Sequence, residues 1–211
     1  MEKNKTLKII LIIIAIILVL FLGNAVRKYV VINGLQTKIG EVSLEKGLHA
    51  TSTYTEKEGT KTVRNLYVKG DKSLLITEET KDGVTRKIST YSNGKTENTY
   101  YEDEAGKRVE LNKTSTMPKK DEVLKTDSNW KTFTEAIKAS VKSEELNNKK
   151  CYLIKDFGNM YSEMYVERDT GLSLKVTTKD TKLTTETSYE LENVNDSIFE
   201  EPNQEEYTIY E

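Results

Sequence analysis

DGVTRKISTYSNG, residues 82–94, opens on Asp-Gly, closes on Asn-Gly and alternates in between. Val84, Arg86, Ile88 and Thr90 fall on one side of an extended chain, and Thr85, Lys87, Ser89 and Tyr91 on the other, because successive side chains of a strand point to opposite faces. One face therefore meets a core and the other meets water. Asp-Gly and Asn-Gly suit two-residue hairpin turns, in which both central residues take positive φ. The stretch predicts a strand with a hairpin at each end.

The same punctuation recurs on either side. Glu58-Gly59, Gly70-Asp71, Asp82-Gly83, Asn93-Gly94 and Ala105-Gly106 follow one another at steps of 11 or 12 residues. Such spacing predicts an antiparallel meander over residues 49–112. The units share no side-chain pattern, so the regularity is a hairpin period and not a sequence repeat. Further strands are expected over 151–156, 162–168, 172–178 and 183–194, with a turn at Asp169-Thr170-Gly171. Leu172, Leu174 and Val176 would share one face, as would Thr187, Tyr189 and Leu191.

Helices frame this pattern. Residues 9–26 carry no charge and begin IILIIIAIILVLFL. At ~1.5 Å per residue they form a helix of ~27 Å, close to the ~30 Å hydrocarbon core of a bilayer. We read residues 1–28 as a short tail and transmembrane anchor, and 29–211 as one extracytoplasmic β-rich domain. A cleaved signal peptide is the competing reading, because Gly23 and Ala25 place small residues at −3 and −1 of a cut. Against it, residues 9–22 are an unbroken apolar stretch of 14, near the top of the ~7–15 usual for a signal-peptide core. Arg27 and Lys28 would also follow the cut directly. No cysteine lies there to carry a lipid.

Lys3, Lys5, Lys8 and the α-amino group precede the apolar run, while Arg27, Lys28 and Lys38 follow it. The slight excess on the tail side puts the N-terminus inside and the domain outside the cytoplasm, with a cytoplasmic domain as the other topology. Beyond the run, Ile32, Leu35, Ile39 and Val42 recur at steps of three and four, so the helix is expected to continue and to pack on its own domain until Gly47 ends it. Gly34 and Gly40 each weaken it by ~1 kcal/mol relative to Ala.

A polar connection over residues 113–127 contains Pro118. After Asp127 and Ser128, either able to cap a helix, Trp130, Phe133, Ile137 and Val141 fall at helical spacing. This stripe predicts an amphipathic helix that either packs on the sheet as core or lines an apolar cavity against it. As a candidate site it would take a hydrophobic ligand.

Composition narrows the function. The chain has 32 Lys plus Arg and 34 Asp plus Glu, a net charge of −2. Lys3, Lys5, Lys8, Arg27 and Lys28 lie in the anchor segment against only Glu2, so the domain is more acidic still, which argues against nucleic acid as a partner. Apolar residues make up 36%; with many Tyr and Thr, which suit strands, a single-layer sheet fits better than a thick core. Cys151, the one cysteine, stands beside Tyr152, Leu153 and Ile154 and is read as a packed thiol in a strand.

Motifs for chemistry are missing. His49 is the one histidine and would have to serve any His-based triad, yet no G-x-S-x-G accompanies it. There is no Cys/His cluster for zinc, no calcium loop and no phosphate-binding G-x-x-x-x-G-K. Glu102-Asp103-Glu104 and Glu200-Glu201 read as solvated acidic edges, and Lys119-Lys120 and Lys149-Lys150 as solvated loop ends. No catalytic, cofactor or metal residue is assigned.

The order helix, meander, amphipathic helix, strands, together with YVERDTGLSLK at residues 165–175 and NDSIFEEP at 195–202, resembles the outer-membrane lipoprotein-sorting and carrier family of LolA/LolB-like fold, chiefly over residues 161–202. The resemblance implies an α+β fold: a curved antiparallel sheet, an incomplete barrel, packed on one or two helices around an apolar cavity for acyl chains. The tether is a departure, since a shuttling carrier could not keep one.

Three functions then compete. The first is a non-catalytic module in the cell envelope that binds envelope proteins or senses envelope state. The second is a binder of lipid or acyl chains between sheet and helix, and the third an enzyme built on carboxylates. We adopt the first, with the membrane as partner through the anchor and no cofactor.

Overall fold

The computed structural model describes residues 2–42, 46–56, 58–117, 129–191 and 193–210, and the side chains of all of these except 2–9, 11 and 129–133. The fold is α+β. Helix α1 (Glu2–Glu41) leads into a twelve-stranded open sheet, with helix α2 (Asn129–Lys138) inserted between its two series of strands.

The first series is the expected meander: β1 (Leu48–Thr55), β2 (Lys61–Lys69), β3 (Lys72–Lys81), β4 (Val84–Ser92), β5 (Thr96–Asp103) and β6 (Gly106–Thr114). The second comprises β7 (Ser140–Leu146), β8 (Lys149–Lys155), β9 (Tyr161–Glu167), β10 (Ser173–Thr178) and β11 (Thr184–Glu190). A two-residue strand, β12 (Thr208–Ile209), completes the order β12-β6-β5-β4-β3-β2-β1-β11-β10-β9-β8-β7. All neighbours are antiparallel except β12 on β6. β1 joins the two series by pairing with both β2 and β11.

Turn chemistry explains most hairpins. Asp82 and Gly83 both take positive φ, +50° and +83°, the requirement of a type I′ turn. Asn93-Gly94 marks a turn of another kind. Only Gly94 has positive φ, and the Asn93 side chain instead accepts the N–H groups of Lys95 and Thr96 at 3.0 and 2.9 Å.

The residues following α2 correct the sequence reading. Val141 is not helical: α2 ends at Lys138, and Val141 lies in β7 opposite Ile154. Asn147 and Asn148, at φ +52° and +62°, close the β7–β8 hairpin, because asparagine tolerates the left-handed region that a type I′ turn needs. Val141 thus fits the spacing of a helix while belonging to a strand. Lys149-Lys150 likewise open β8 instead of lying in a loop, and Lys149 pairs with Glu167 at 3.0 Å. β11 stops at Glu190, so Leu191 is exposed beyond it and Val194 is buried outside any strand. Pro118, Lys119-Lys120, Asp127 and Ser128 lie outside the described residues.

Directly paired residues share a face of a sheet, and the pairing gives each face its own cover. Ile32 and Leu35 of α1, with Ala136 and Ala139, pack on Ile154 and Val166, while Val42 packs on Leu48 and Val68. The helices therefore cover one face, along β7–β9 and β1–β2. The opposite face of β4–β6 carries Tyr91, Tyr100 and Val109, and there Tyr207 from the C-terminal segment supplies the cover.

Candidate functional site

The helix stripe is brought only partly together. Ile137 is half-buried on α2, and Val141 packs from β7 on the core cluster of Ile32, Ala136 and Ile154. Trp130 and Phe133 lie on the first turns of α2, and their side chains are outside the described residues. Among the described residues, two that the stripe omitted, Ala136 and Ala139, at 0 and 1% exposure, pack between α2 and the sheet. Small side chains let the helix backbone approach the layer below, which is why a search for large apolar residues passes over them.

Beside this packed layer runs an open groove of about 460 Å³ between α1 and the distal end of β8–β9. Val30, Val31, Gly34 and Leu35 form its apolar wall, and Lys38, Lys150, Tyr152, Arg168 and Asp169 its polar one. The Lys38 ammonium donates to the Arg168 carbonyl at 2.5 Å, pinning helix to turn. The Arg168 guanidinium lies over the Tyr152 ring, 4.3 Å from its centroid, and donates to the Tyr152 hydroxyl at 3.0 Å. Three cations against one carboxylate beside an aliphatic wall suit a ligand with an anionic head and an apolar body.

His49 sits in a polar cluster on the face opposite the helices. Its Nδ1 lies 3.1 Å from a Glu190 carboxylate oxygen and its Nε2 3.2 Å from the Thr51 hydroxyl, with Tyr67 stacked on the ring at 4.3 Å. Hydroxyl, imidazole and carboxylate in that order have the outline of a nucleophilic relay. The proton of Thr51, however, goes to Asn65 Oδ1 at 2.8 Å. β1 is also an interior strand paired on both sides, so its N–H groups are committed to the ladder and offer no oxyanion hole.

The acidic runs are exposed at Glu104, Glu200 and Glu201, as expected of solvated edges, and two of their carboxylates also hold the C-terminal segment. Glu201 accepts from the Tyr100 hydroxyl at 2.6 Å and from Asn98 at 2.8 Å, while Glu102 accepts from the Tyr207 hydroxyl at 2.6 Å. Asp103 accepts from Arg108 at 2.5 Å. Burial, and then these carboxylates, push both tyrosine phenols well above their ordinary value. Cys151 is fully buried in β8, and burial raises its thiol pKa, the state of an unreactive packing group.

No family model matches the chain, and no curated protein does. An uncharacterised conserved protein from Thermus thermophilus aligns over 83% of this chain and 96% of its own at 9% identity and a TM-score of 0.51. A DUF1329 family protein from Desulfovibrio piger aligns over 84% and 97% at 12% identity, with a TM-score of 0.35. At these identities the Thermus likeness speaks for the fold alone, an α+β arrangement around an open sheet.

Proposed function

We propose that this protein is a membrane-anchored domain of the cell envelope, with its β-rich part outside the cytoplasm, that works without catalysis by binding envelope proteins or reporting the state of the envelope. One observation carries the proposal: α1 is a single helix with two different environments. Ile12, Val19 and Leu22 are 59, 68 and 58% exposed, as a lipid-facing stretch is when no lipid is present, whereas Ile32 and Leu35, at 3 and 5%, are core residues of the domain. A simple tether has a flexible linker after the bilayer. Here the helix that is long and apolar enough to cross a membrane enters the core without a break, and a rigid element of that kind transmits tilt or displacement to what it packs on.

The finer reading is a LolA/LolB-like domain, supported by the element order and by helices lying on one face of an open sheet. The committed proton of Thr51 and the fully paired strand beneath it support a role without catalysis. A second reading, lipid binding, is favoured by the groove along Val30 and Leu35 with its basic wall. It is a place to look for an acyl chain, since Ala136 and Ala139 pack closely on the sheet beneath α2.

Fractionation of cells expressing the full chain tests the anchor. The protein should stay with membranes through an alkaline carbonate wash and retain residues 1–28; a mature form beginning at Val26 would reject the reading. Protease added to cells with the envelope opened and the membrane sealed should degrade the domain, and protection until detergent is added would reverse its side. Native mass spectrometry of the protein released from detergent separates the two functions, because retained lipid that is lost in Arg168→Ala favours the second.

A further inference from the structure

The β8–β9 turn lies level with the end of the apolar half of α1. The opposite end of β9 fixes the direction: the turn after it packs Gly171 against Leu35 and Ile39, and the Arg168 carbonyl meets Lys38. Lower on the helix, the Lys28 ammonium lies 3.4 Å from the carbonyl oxygen of Ile137 on α2. From Glu167 back to Tyr161, β9 therefore runs toward the membrane end of α1.

Val166 shares a core cluster with Ile32 and Leu35. The six residues from Val166 back to Met160 span ~20 Å at ~3.3 Å each. Projected fully on the helix axis this equals ~13 residues of α1, and at half projection ~7. Met160 is thus level with α1 between about residues 20 and 27, where the uncharged run gives way to Arg27 and Lys28. The domain reaches this level, because Ala25 is already only 5% exposed.

The turn holds Met160 outward. Phe157 packs inward on the core cluster, and Asp156 and Gly158 take positive φ of +56° and +67°. The Lys179 N–H donates to the Met160 carbonyl at 2.9 Å and its ammonium to the Gly158 carbonyl at 3.0 Å. Met160 itself is 68% exposed, as much as Val19 within the apolar run. The exposed Lys182 and Asp180 share this end of the molecule, and Asp156 lies 3.8 Å from Lys179.

We propose that residues 156–160 make a second membrane contact, with Met160 seated in the headgroup and acyl boundary of the leaflet from which α1 emerges and the Lys182 ammonium at the level of the lipid phosphates. The occupant is the bilayer that the anchor crosses, so the inference rests on the anchor reading. One apolar side chain would bind a membrane weakly from solution. Beside a spanning helix the contact is intramolecular, and its effective concentration is high. Two contacts then limit the tilt of the rigid helix and sheet on the membrane, which one spanning helix leaves free.

The test uses the full chain in nanodiscs of phosphatidylcholine and phosphatidylglycerol, some carrying a shallow doxyl quencher on the acyl chain. Cysteines introduced one at a time, Met160→Cys, Asn147→Cys and Val19→Cys, are labelled with an environment-sensitive fluorophore beside the native Cys151, whose protection reports that each variant is folded. Quenching by doxyl lipid should be about twofold or more greater at position 160 than at 147, with iodide quenching ordered the other way. Equal iodide access at 160 and 147, with position 19 quenched by lipid, overturns the membrane contact and leaves the anchor standing. No lipid quenching at 19 overturns both.

Discussion

Gly171 is seated on the backbone of Leu35. A Cβ on Gly171 would fall inside the van der Waals limit of the Leu35 carbonyl oxygen and 2.8 Å from an Ile39 side-chain carbon, and the residue has a φ of +75°. At the turn between β9 and β10 the sheet thus comes against the backbone of the anchor helix, and only a residue without a side chain fits there.

Gly171→Ala should destabilise the protein by ~2–4 kcal/mol, combining the left-handed conformation with overpacking against a helix that cannot yield locally. Gly59→Ala is the control: φ is +85° and nothing lies within 4 Å, so the backbone term alone, ~1–2 kcal/mol, should remain. Denaturant unfolding in detergent measures both. Equal losses would mean that the helix contact contributes nothing.

Ile32→Ala and Leu35→Ala should each cost ~2–5 kcal/mol, the range for buried large-to-small changes. Val30→Ala, one helical face away and 60% exposed, should stay within ~0.5 kcal/mol. Thermal unfolding of the purified full chain separates them. If Ile32→Ala were silent, α1 would be a tether resting on the domain and not part of its core.

Alkaline pH should loosen the C-terminal segment. Tyr100 and Tyr207 have phenol pKa values raised above the 10.0 of a free tyrosine. In the unfolded chain both ionise near that value while the folded protein keeps its protons. Folding stability from this source is therefore complete below pH 10 and falls as pH rises further. Spectrophotometric titration should show a set of late-ionising tyrosines that loses one member in Tyr207→Phe. Tyr207→Phe should flatten the decline above pH 10, and an unchanged slope would remove Tyr207 from its cause.

Cys151 should resist a thiol reagent in the native protein and react on unfolding, since its sulfur is buried and its thiol pKa raised. Reaction with Ellman's reagent, with and without denaturant, measures this. Rapid native labelling would mean that β8 opens locally, close to the groove beside Lys150.

The meander was readable because its turns are local events. Asp82-Gly83 determines a type I′ hairpin from two residues, and alternation between such turns determines strands without reference to the rest of the chain. The α1 stripe at Ile32 and Leu35 was equally local, a helix period within one segment. The β7 hairpin was hidden because Val141 fits the period of the preceding helix, and Asn147-Asn148 is a less common way of making the turn that Asp-Gly makes.

The candidate site was far less legible. Ala136 and Ala139 matter through their smallness, which has meaning only once a sheet lies beneath them. The bonds of Glu102 and Glu201 to Tyr207 and Tyr100 were hidden because these partners stand about a hundred residues away.

By itself the sequence determined the elements: an apolar helix, a hairpin meander, an amphipathic helix and a second set of strands, each specified by turn chemistry and periodicity within a few residues. Only the tertiary structure decided how they are joined. The pairing of β1 with β11, the return of β12 to β6, the seating of Gly171 on Leu35 and the level of Met160 beside the end of the apolar run all join residues far apart in the chain. Such contacts depend on shape and burial in three dimensions, for which no local periodicity codes.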